Sequence, residues 1–272
     1  MRAPKTKEVT KPGRKYLFVC DFDRTLSFDD TGVVLSMKIG INPDEYDKKV
    51  NEVRKRNIAQ LGGELAYLII SDPAYKGKVT KKLFEEVGAE VRLKKNIAEL
   101  MRILSEGMDG NTFCCYVLSA CPQDIITTAL SGILEPDHIY GTVFIYDEDG
   151  KVKDIKHTCA GQGKVAILDS LREKERVPRD GIIYVGDGLS DLHVMLHVSA
   201  YGGYPIAVSA SPYLGHISKR TVLSDNALSI LVPILEDIMG YRENRIKAFF
   251  EEIGHTISEW SRAKIDWITL ED

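Results

Sequence analysis

The sequence is short of several things, and each shortage excludes a class of protein. No apolar run approaches the roughly 18 residues of a membrane-spanning helix, so no membrane span is expected. Positive charge is not in excess: the formal net charge is -4 at pH 7, which leaves no basic field for binding nucleic acid through bulk electrostatics. The opening segment, MRAPKTKEVTKPGRK, is basic but lacks an apolar stretch, and a signal peptide is not expected there. No internal repeat or low-complexity tract occurs. Cysteine is sparse and odd in number, at five. Cys20, Cys114 and Cys115 sit in apolar runs, where a reduced thiol acts as a small hydrophobe. Cys114 and Cys115, being adjacent, would point to opposite faces of a strand rather than pair. A cytoplasmic setting fits this usage. What is present suits a globular chain with a real core: 44% hydrophobic and 28% charged residues over 272 positions, room for one domain plus an insertion.

The pattern along the chain alternates. Tyr16 to Cys20 is too short for a helix and rich in strand formers, and it stops at the acidic string DFDRT. A helical block follows. Pro43 opens a helix through Gln60 with Asn42 as N-cap, Gly62-Gly63 breaks it, and Glu64 to Ser71 forms a second, ended by Asp72-Pro73. Thr80 to Val87 and Lys94 to Ser105 are further amphipathic helices. Strand chemistry returns at Phe113 to Leu118, followed by Ser119 and a helix opened by Pro122. Ile139 to Tyr146 and Lys151 to Ile155 flank DEDG and read as a hairpin. A helix from Lys164 to Lys174, a strand from Ile182 to Val185, the loop GDGLSD, a strand from Pro205 to Val208 and a helix from Asn226 to Met239 complete the pattern. The expected fold is α/β: a Rossmann-like parallel sheet wrapped by helices, with a helical cap inserted after the first strand. Residues 14–28 and 112–240 form the core in this reading, 29–111 the cap, and 241–272 a C-terminal helical extension with Ile246, Phe249, Phe250, Ile253 and Ile257 on one stripe.

Four polar sites fall at strand ends or helix starts: DFDRT, Ser119, Lys164 and GDGLSD. Ligands of open α/β sheets bind beyond the carboxyl ends of the strands, so Asp21, Ser119 and Asp187 should converge, joined by Lys164 from a helix start. Asp21, Asp187 and Asp191 would concentrate negative charge that calls for a cation, and hard oxygen ligands favour Mg²⁺. Ser119, Thr25 and Lys164 supply donors for the oxygens of a transferring phosphoryl group. Asp21 can attack phosphorus as a carboxylate nucleophile, and Asp23 can protonate the leaving alcohol and then take a proton from water. Singly, each feature has a commonplace reading as a turn, an N-cap or a solvated lysine. Their joint order is the signal. His193 and His197 have zinc-binding spacing on a helix, but with no third ligand they read as packing residues.

On these residues the chain resembles the haloacid dehalogenase-like hydrolase superfamily, nearest its phosphoserine phosphatase-like branch. D-x-D-x-T matches Asp21, Asp23 and Thr25. The Ser after the second strand matches Ser119, the Lys matches Lys164, and GDG-x-x-D matches Asp187 and Asp191. The resemblance implies a phosphatase that holds Mg²⁺ through the Asp21 side chain, the Asp23 carbonyl and Asp187. Asp191 would orient waters or Lys164, and Phe22 and Ala120 would join the phosphate-binding set. It also implies a small phosphorylated metabolite as substrate. Three positions depart from the branch: Ser190 stands where Asn is usual, Ala120-Cys121 replaces Gly-Gly, and Arg24 replaces a small residue. Arg54 and Arg56 lie where they could meet a substrate carboxylate, although helix arginines are more often solvated. The oligomeric state is left open. A phosphotransferase or mutase, or a phosphoacceptor without turnover, remains the alternative.

Overall fold

The computed structural model describes residues 13–261. Seven strands form one sheet in the order β4-β3-β2-β1-β5-β6-β7. β1 (Lys15–Cys20) lies at the centre, parallel to β2 (Thr112–Pro122) on one side and β5 (Ile182–Gly186) on the other. β6 (Tyr204–Ala207) and β7 (Arg220–Thr221) extend the sheet in parallel, and β3 (Ile139–Tyr146) pairs parallel to β2. Only β4 (Val152–His157) runs antiparallel, as the return arm of the hairpin expected around DEDG.

Alternation along the central strands sorts the core into two layers, because successive side chains point to opposite faces. Leu17, Val19, Tyr116, Leu118, Ile182 and Tyr184 face a layer with α7 (Gln162–Glu175) and α8 (Leu192–Ala200). Phe18, Cys20, Cys115, Val117, Ile183 and Val185 face the larger layer, which runs on into the helices between β1 and β2. Cys114 and Cys115 fall on different layers and all five cysteines are free thiols.

Five helices lie between β1 and β2. α1 (Thr31–Lys38) went unforeseen: Asp30 caps it, accepting from the amides of Gly32 and Val33. Its apolar stripe is short, so periodicity alone does not mark it. α2 (Pro43–Lys55) starts at the Asn42 cap as expected but ends five residues before Gln60, because Asn57 adopts a left-handed conformation. α3 (Glu64–Ser71) and α4 (Lys81–Glu90, capped by Thr80) follow. α5 (Ile97–Glu106) is amphipathic, and its buried Ile97, Leu100, Met101 and Leu104 join the core against β2. α4 packs on α6 (Gln123–Ala129) at Gly88, where a Cβ would come within 2.5 Å of the Ile125 carbonyl.

After β6 comes the short α9 (Pro212–Gly215). The expected helix from Asn226 to Met239 is instead a chain of unlike turns. A 3₁₀ turn (Ala227–Ile230) passes into α10 (Leu231–Pro233) and then a π-helical turn (Ile234–Ile238). Pro233 is the physical reason, since it has no N–H to give and its ring crowds the preceding turn. α11 (Glu243–Glu252) buries Ile246 and Phe250 and ends at Gly254 (φ 82°). Ile257 therefore lies beyond the helix, and residues 262–272 of the expected extension lie outside the described residues.

Candidate active site

Strand register brings the motif residues together. Cys20, the last residue of β1, is level with Val117 of β2 and Val185 of β5. Asp21 is one residue beyond that level, and Ser119 and Asp187 are each two beyond it. Three neighbouring parallel strands thus deliver their polar ends to one edge, with β1 as the point where connections leave to either side. The Asp21 amide donates to the Val185 carbonyl at 2.9 Å, which ties the strand tip down. Asp21, Asp23, Ser119, Ala120 and Asp187 line a single cavity of about 160 Å³, together with Arg24, Asp30, Tyr46, Arg54, Glu64 and Ser190.

Lys164 stands behind this wall. It is fully buried, and its Nζ donates to Asp21 Oδ1 at 3.0 Å and Asp191 Oδ1 at 2.7 Å. Burial by itself would depress the lysine, but Asp191 and Asp21 override that and hold the ammonium charged above its ordinary range. Asp191 makes no contact with the cavity. Its Oδ1 also accepts from the Tyr184 hydroxyl at 2.7 Å, and Oδ2 from the amides of Asp187 (3.1 Å) and Gly188 (3.4 Å). Asp191 therefore fixes both Lys164 and the loop that carries Asp187. Phe22 has its side chain fully buried in the core, so only its main chain can face a ligand. Thr25 is also buried, and its Oγ1 has no hydrogen-bond partner among the described residues.

Asp23 is set apart from Asp21 by its surroundings. Thr31 donates to it twice, from Oγ1 at 2.8 Å and from the amide at 3.1 Å. Burial raises its pKa well above the carboxylate range, with Asp30 and Asp21 adding repulsion and the Thr31 bonds opposing them. Burial likewise lifts Asp21 to about 6, reinforced by Asp191 and moderated by Lys164 and Ser119. Asp187 is pushed to about 8 by burial, then by Asp191 and Asp21, against the weaker pull of Arg24 and Lys164.

Carboxylate oxygens of Asp21, Asp187 and Asp191 lie within 4.8 Å of one another. One ammonium does not neutralise three such groups, and the Asp187 carboxylate has no hydrogen-bond donor among the described residues. An all-oxygen, anion-rich set of this kind fits a hard divalent cation, with Asp21 and Asp187 lining the cavity to hold it while Asp191 is turned to Lys164, Tyr184 and the loop amides. No zinc-type set appears at His193 and His197; His197 Nε2 instead lies 3.2 Å from Asp169.

Several members of the site escaped the sequence reading. Tyr184 sits inside an apolar strand, and its only signal is that a buried hydroxyl needs a partner. Thr31 is the first residue of the unforeseen α1, which caps on Asp30, an acid the sequence already places near the site. Two acids at the α1 and α3 starts beside the cavity are already ion-paired: Asp30 with Arg24 at 3.2 Å and Glu64 with Arg54 at 2.7 Å. Arg24 takes a left-handed conformation (φ 55°), which turns its side chain toward Asp30.

The fold is shared with solved phosphohydrolases. A substrate-bound phosphoserine phosphatase superposes with a TM-score of 0.62 at 18% identity, covering 80% of this chain and 97% of that one. A HAD family hydrolase from Salmonella enterica serovar Typhi gives 0.66 at 15% identity, covering 83% and 72%. A phosphoserine phosphohydrolase-like protein from Francisella tularensis gives 0.61 at 19% identity, covering 80% and 99%. No curated protein matches the sequence. The family profile of haloacid dehalogenase-like hydrolases matches residues 18–196, well over half the chain, and the protein belongs to that family. Among the described residues, no helix is long and apolar enough to cross a membrane.

Proposed function

We propose that the protein is a Mg²⁺-dependent phosphatase of small organic phosphate monoesters, working through a phosphoryl group carried on Asp21. The observation that carries this reading is the pairing of two buried acids with unequal partners on one cavity wall. Asp21 is held by the Lys164 ammonium and is the better anion; Asp23 is buried beside Asp30 and keeps its proton. That division matches a nucleophile and a general acid.

Asp21 Oδ attacks phosphorus, and the bond to the leaving oxygen breaks as Asp23 gives that oxygen its proton. The Asp23 carboxylate, steadied by Thr31, then takes a proton from water, which attacks the aspartyl phosphate and frees inorganic phosphate. Ser119 and the main chain at Phe22 and Ala120 offer donors to the phosphoryl oxygens, and Thr25 holds a buried hydroxyl with no partner among the described residues. Lys164 acts from behind, fixing the Asp21 carboxylate in its attacking orientation. Mg²⁺, held by the Asp21 side chain, the Asp23 carbonyl and Asp187, would supply charge neutralisation between substrate phosphate and these carboxylates.

Helices α1 to α4 are read as the cap, which supplies Tyr46, Arg54 and Glu64 to the leaving-group side of the cavity. α5 packs on β2 and is assigned with the core. A substrate ammonium would have to compete with Arg24 for Asp30 and with Arg54 for Glu64, which weighs against phosphoserine itself.

Phosphate release should be measured over sugar, amino-acid, hydroxy-acid and nucleotide monophosphates, with wild type and Asp21→Asn. The amide cannot attack phosphorus, so turnover should disappear; activity within about tenfold of wild type would reject covalent catalysis by Asp21. Phosphate transfer to an added alcohol in place of release would indicate a transferase or mutase.

A further inference from the structure

The loop between α2 and α3, residues 56–63, closes the cavity on the side facing the catalytic loops. Gly62 has φ 90°, and a Cβ built there would stand 3.0 Å from Ser190 Cβ, 3.2 Å from Ala120 Cβ and 3.6 Å from Ala160 Cβ. These three residues belong to three separate loops: Ala120 follows Ser119, Ala160 leads into the helix of Lys164, and Ser190 precedes Asp191. The loop is also latched. α7 has no side-chain cap of its own, and the Gln162 amide at its start donates to Gln60 Oε1 at 3.0 Å, across a separation of 102 residues. Gly161 beside it has φ 51°, and a Cβ there would meet Gln60 Oε1 at 2.5 Å, so the glutamine amide would have to leave its place.

Two of the three small residues are the positions where the motifs depart from the phosphoserine phosphatase-like pattern, Ala120 for Gly and Ser190 for Asn. Their side chains meet at one bare backbone. With the Ser190 Cβ 3.0 Å from the place a Gly62 Cβ would take, a larger side chain at 190 has less room beside this backbone than Ser has.

We propose that Ala120, Ala160 and Ser190 form a seat for Gly62, and that this seat, with the Gln60 latch, positions loop 56–63 as the closing wall of the reaction cavity. Gly62 and Gln60 are positioning residues: they touch no reacting atom but hold Arg54 and Glu64 over the leaving-group side. The seat explains why a glycine pair separates α2 from α3. Gly62 is needed for its left-handed backbone and for its missing Cβ, and an alanine there would meet both obstacles. The kinetic consequence rests on the phosphatase reading above, whereas the seat itself does not.

The test uses the full chain as wild type, Gly62→Ala, Ser190→Asn and Gln60→Met. Amide exchange of residues 57–63 is followed by mass spectrometry, and KM and kcat are measured on the best ester from the substrate panel. Gly62→Ala and Ser190→Asn should each speed exchange in 57–63 by about tenfold or more. KM should rise only by the factor by which the closed fraction itself falls, less than the change in exchange, while kcat falls less than about threefold. Gln60→Met, an exposed change compatible with folding, should act in the same direction by about threefold. Unchanged loop exchange in the variants that fold overturns the seat. So does a fall in kcat with KM unaltered, which would place Ser190 in the chemistry itself. Faster loop exchange in a chain that hydrolyses no ester supports the seat and rejects the phosphatase reading instead.

Discussion

Asp187→Asn offers an unusual expectation: loss of function combined with a gain in stability. The Asp187 carboxylate stands near Asp21 and Asp191 with no donor among the described residues, and burial and repulsion raise it to about 8. A carboxyl whose folded pKa exceeds its unfolded value binds a proton on folding. Between about pH 4 and pH 8 the folded state therefore holds more protons than the unfolded one, and stability falls as pH rises through that window. A tenfold change in proton affinity is worth about 1.4 kcal/mol, so this partly solvated group costs the metal-free chain on the order of 2–4 kcal/mol near pH 7.5. Replacing it with the neutral amide removes the repulsion. Without metal, Tm should rise by roughly 5–10 °C at pH 7.5 and by about a third as much at pH 5. Mg²⁺ should reverse the ranking. At about a hundred times its dissociation constant it adds about 2.7 kcal/mol to wild type, and it should add almost nothing to the variant. Melting curves at both pH values, in EDTA and in Mg²⁺, decide the matter. A variant less stable than wild type in EDTA, or one that keeps the Mg²⁺ shift, would refute the account of an acid cluster waiting for a cation.

Other expectations follow from named contacts. Asp23→Asn should slow hydrolysis of alkyl phosphates far more than of phenyl phosphate, whose leaving group needs less help; equal losses would contradict its role as acid. Tyr184→Phe removes a buried donor to Asp191 and should cost about 1.5–3 kcal/mol in a denaturant titration, while Lys164 still pairs with both acids. A loss below about 0.5 kcal/mol would show that hydroxyl to be dispensable. Away from the site, Glu175 accepts from Tyr116 at 2.6 Å and Lys15 at 2.9 Å, and the Tyr116 bond leads in lowering it to about 2. Its stabilisation is complete above the unfolded carboxylate value and disappears as pH falls from about 4.5 toward 2. Glu175→Gln should flatten the acid limb of Tm against pH across that range; an unaltered limb would rule the cluster out as its source.

The helices between β1 and β2 show how far local pattern reaches. Glu64 to Ser71 appears as expected, because Gly62-Gly63 and Asp72-Pro73 punctuate it on both sides. Asn42 and Thr80 cap their helices with the bonds their side chains allow. α1 escapes the pattern because its apolar stripe is too short to set a period, despite the Asp30 cap, and the Asn226–Met239 stretch looks like one helix only when Pro233 is given too little weight. The nearness of α4 to α6 has no local signature: it rests on Gly88 lying under α6, a fact of packing.

Residue order was enough to expect that Asp21, Ser119 and Asp187 would meet. Polar residues that each end an apolar strand in a parallel sheet have only one edge to occupy, whatever their separation in sequence. Only the tertiary structure decided how they are charged and supported. Lys164 lies behind Asp21 rather than in the cavity, Tyr184 and Asp191 brace it from within the core, and Thr31 singles out Asp23. Those relations depend on depth of burial and on which neighbours reach within about 3 Å. Both are set when distant elements pack, and neither is written in the spacing of one motif.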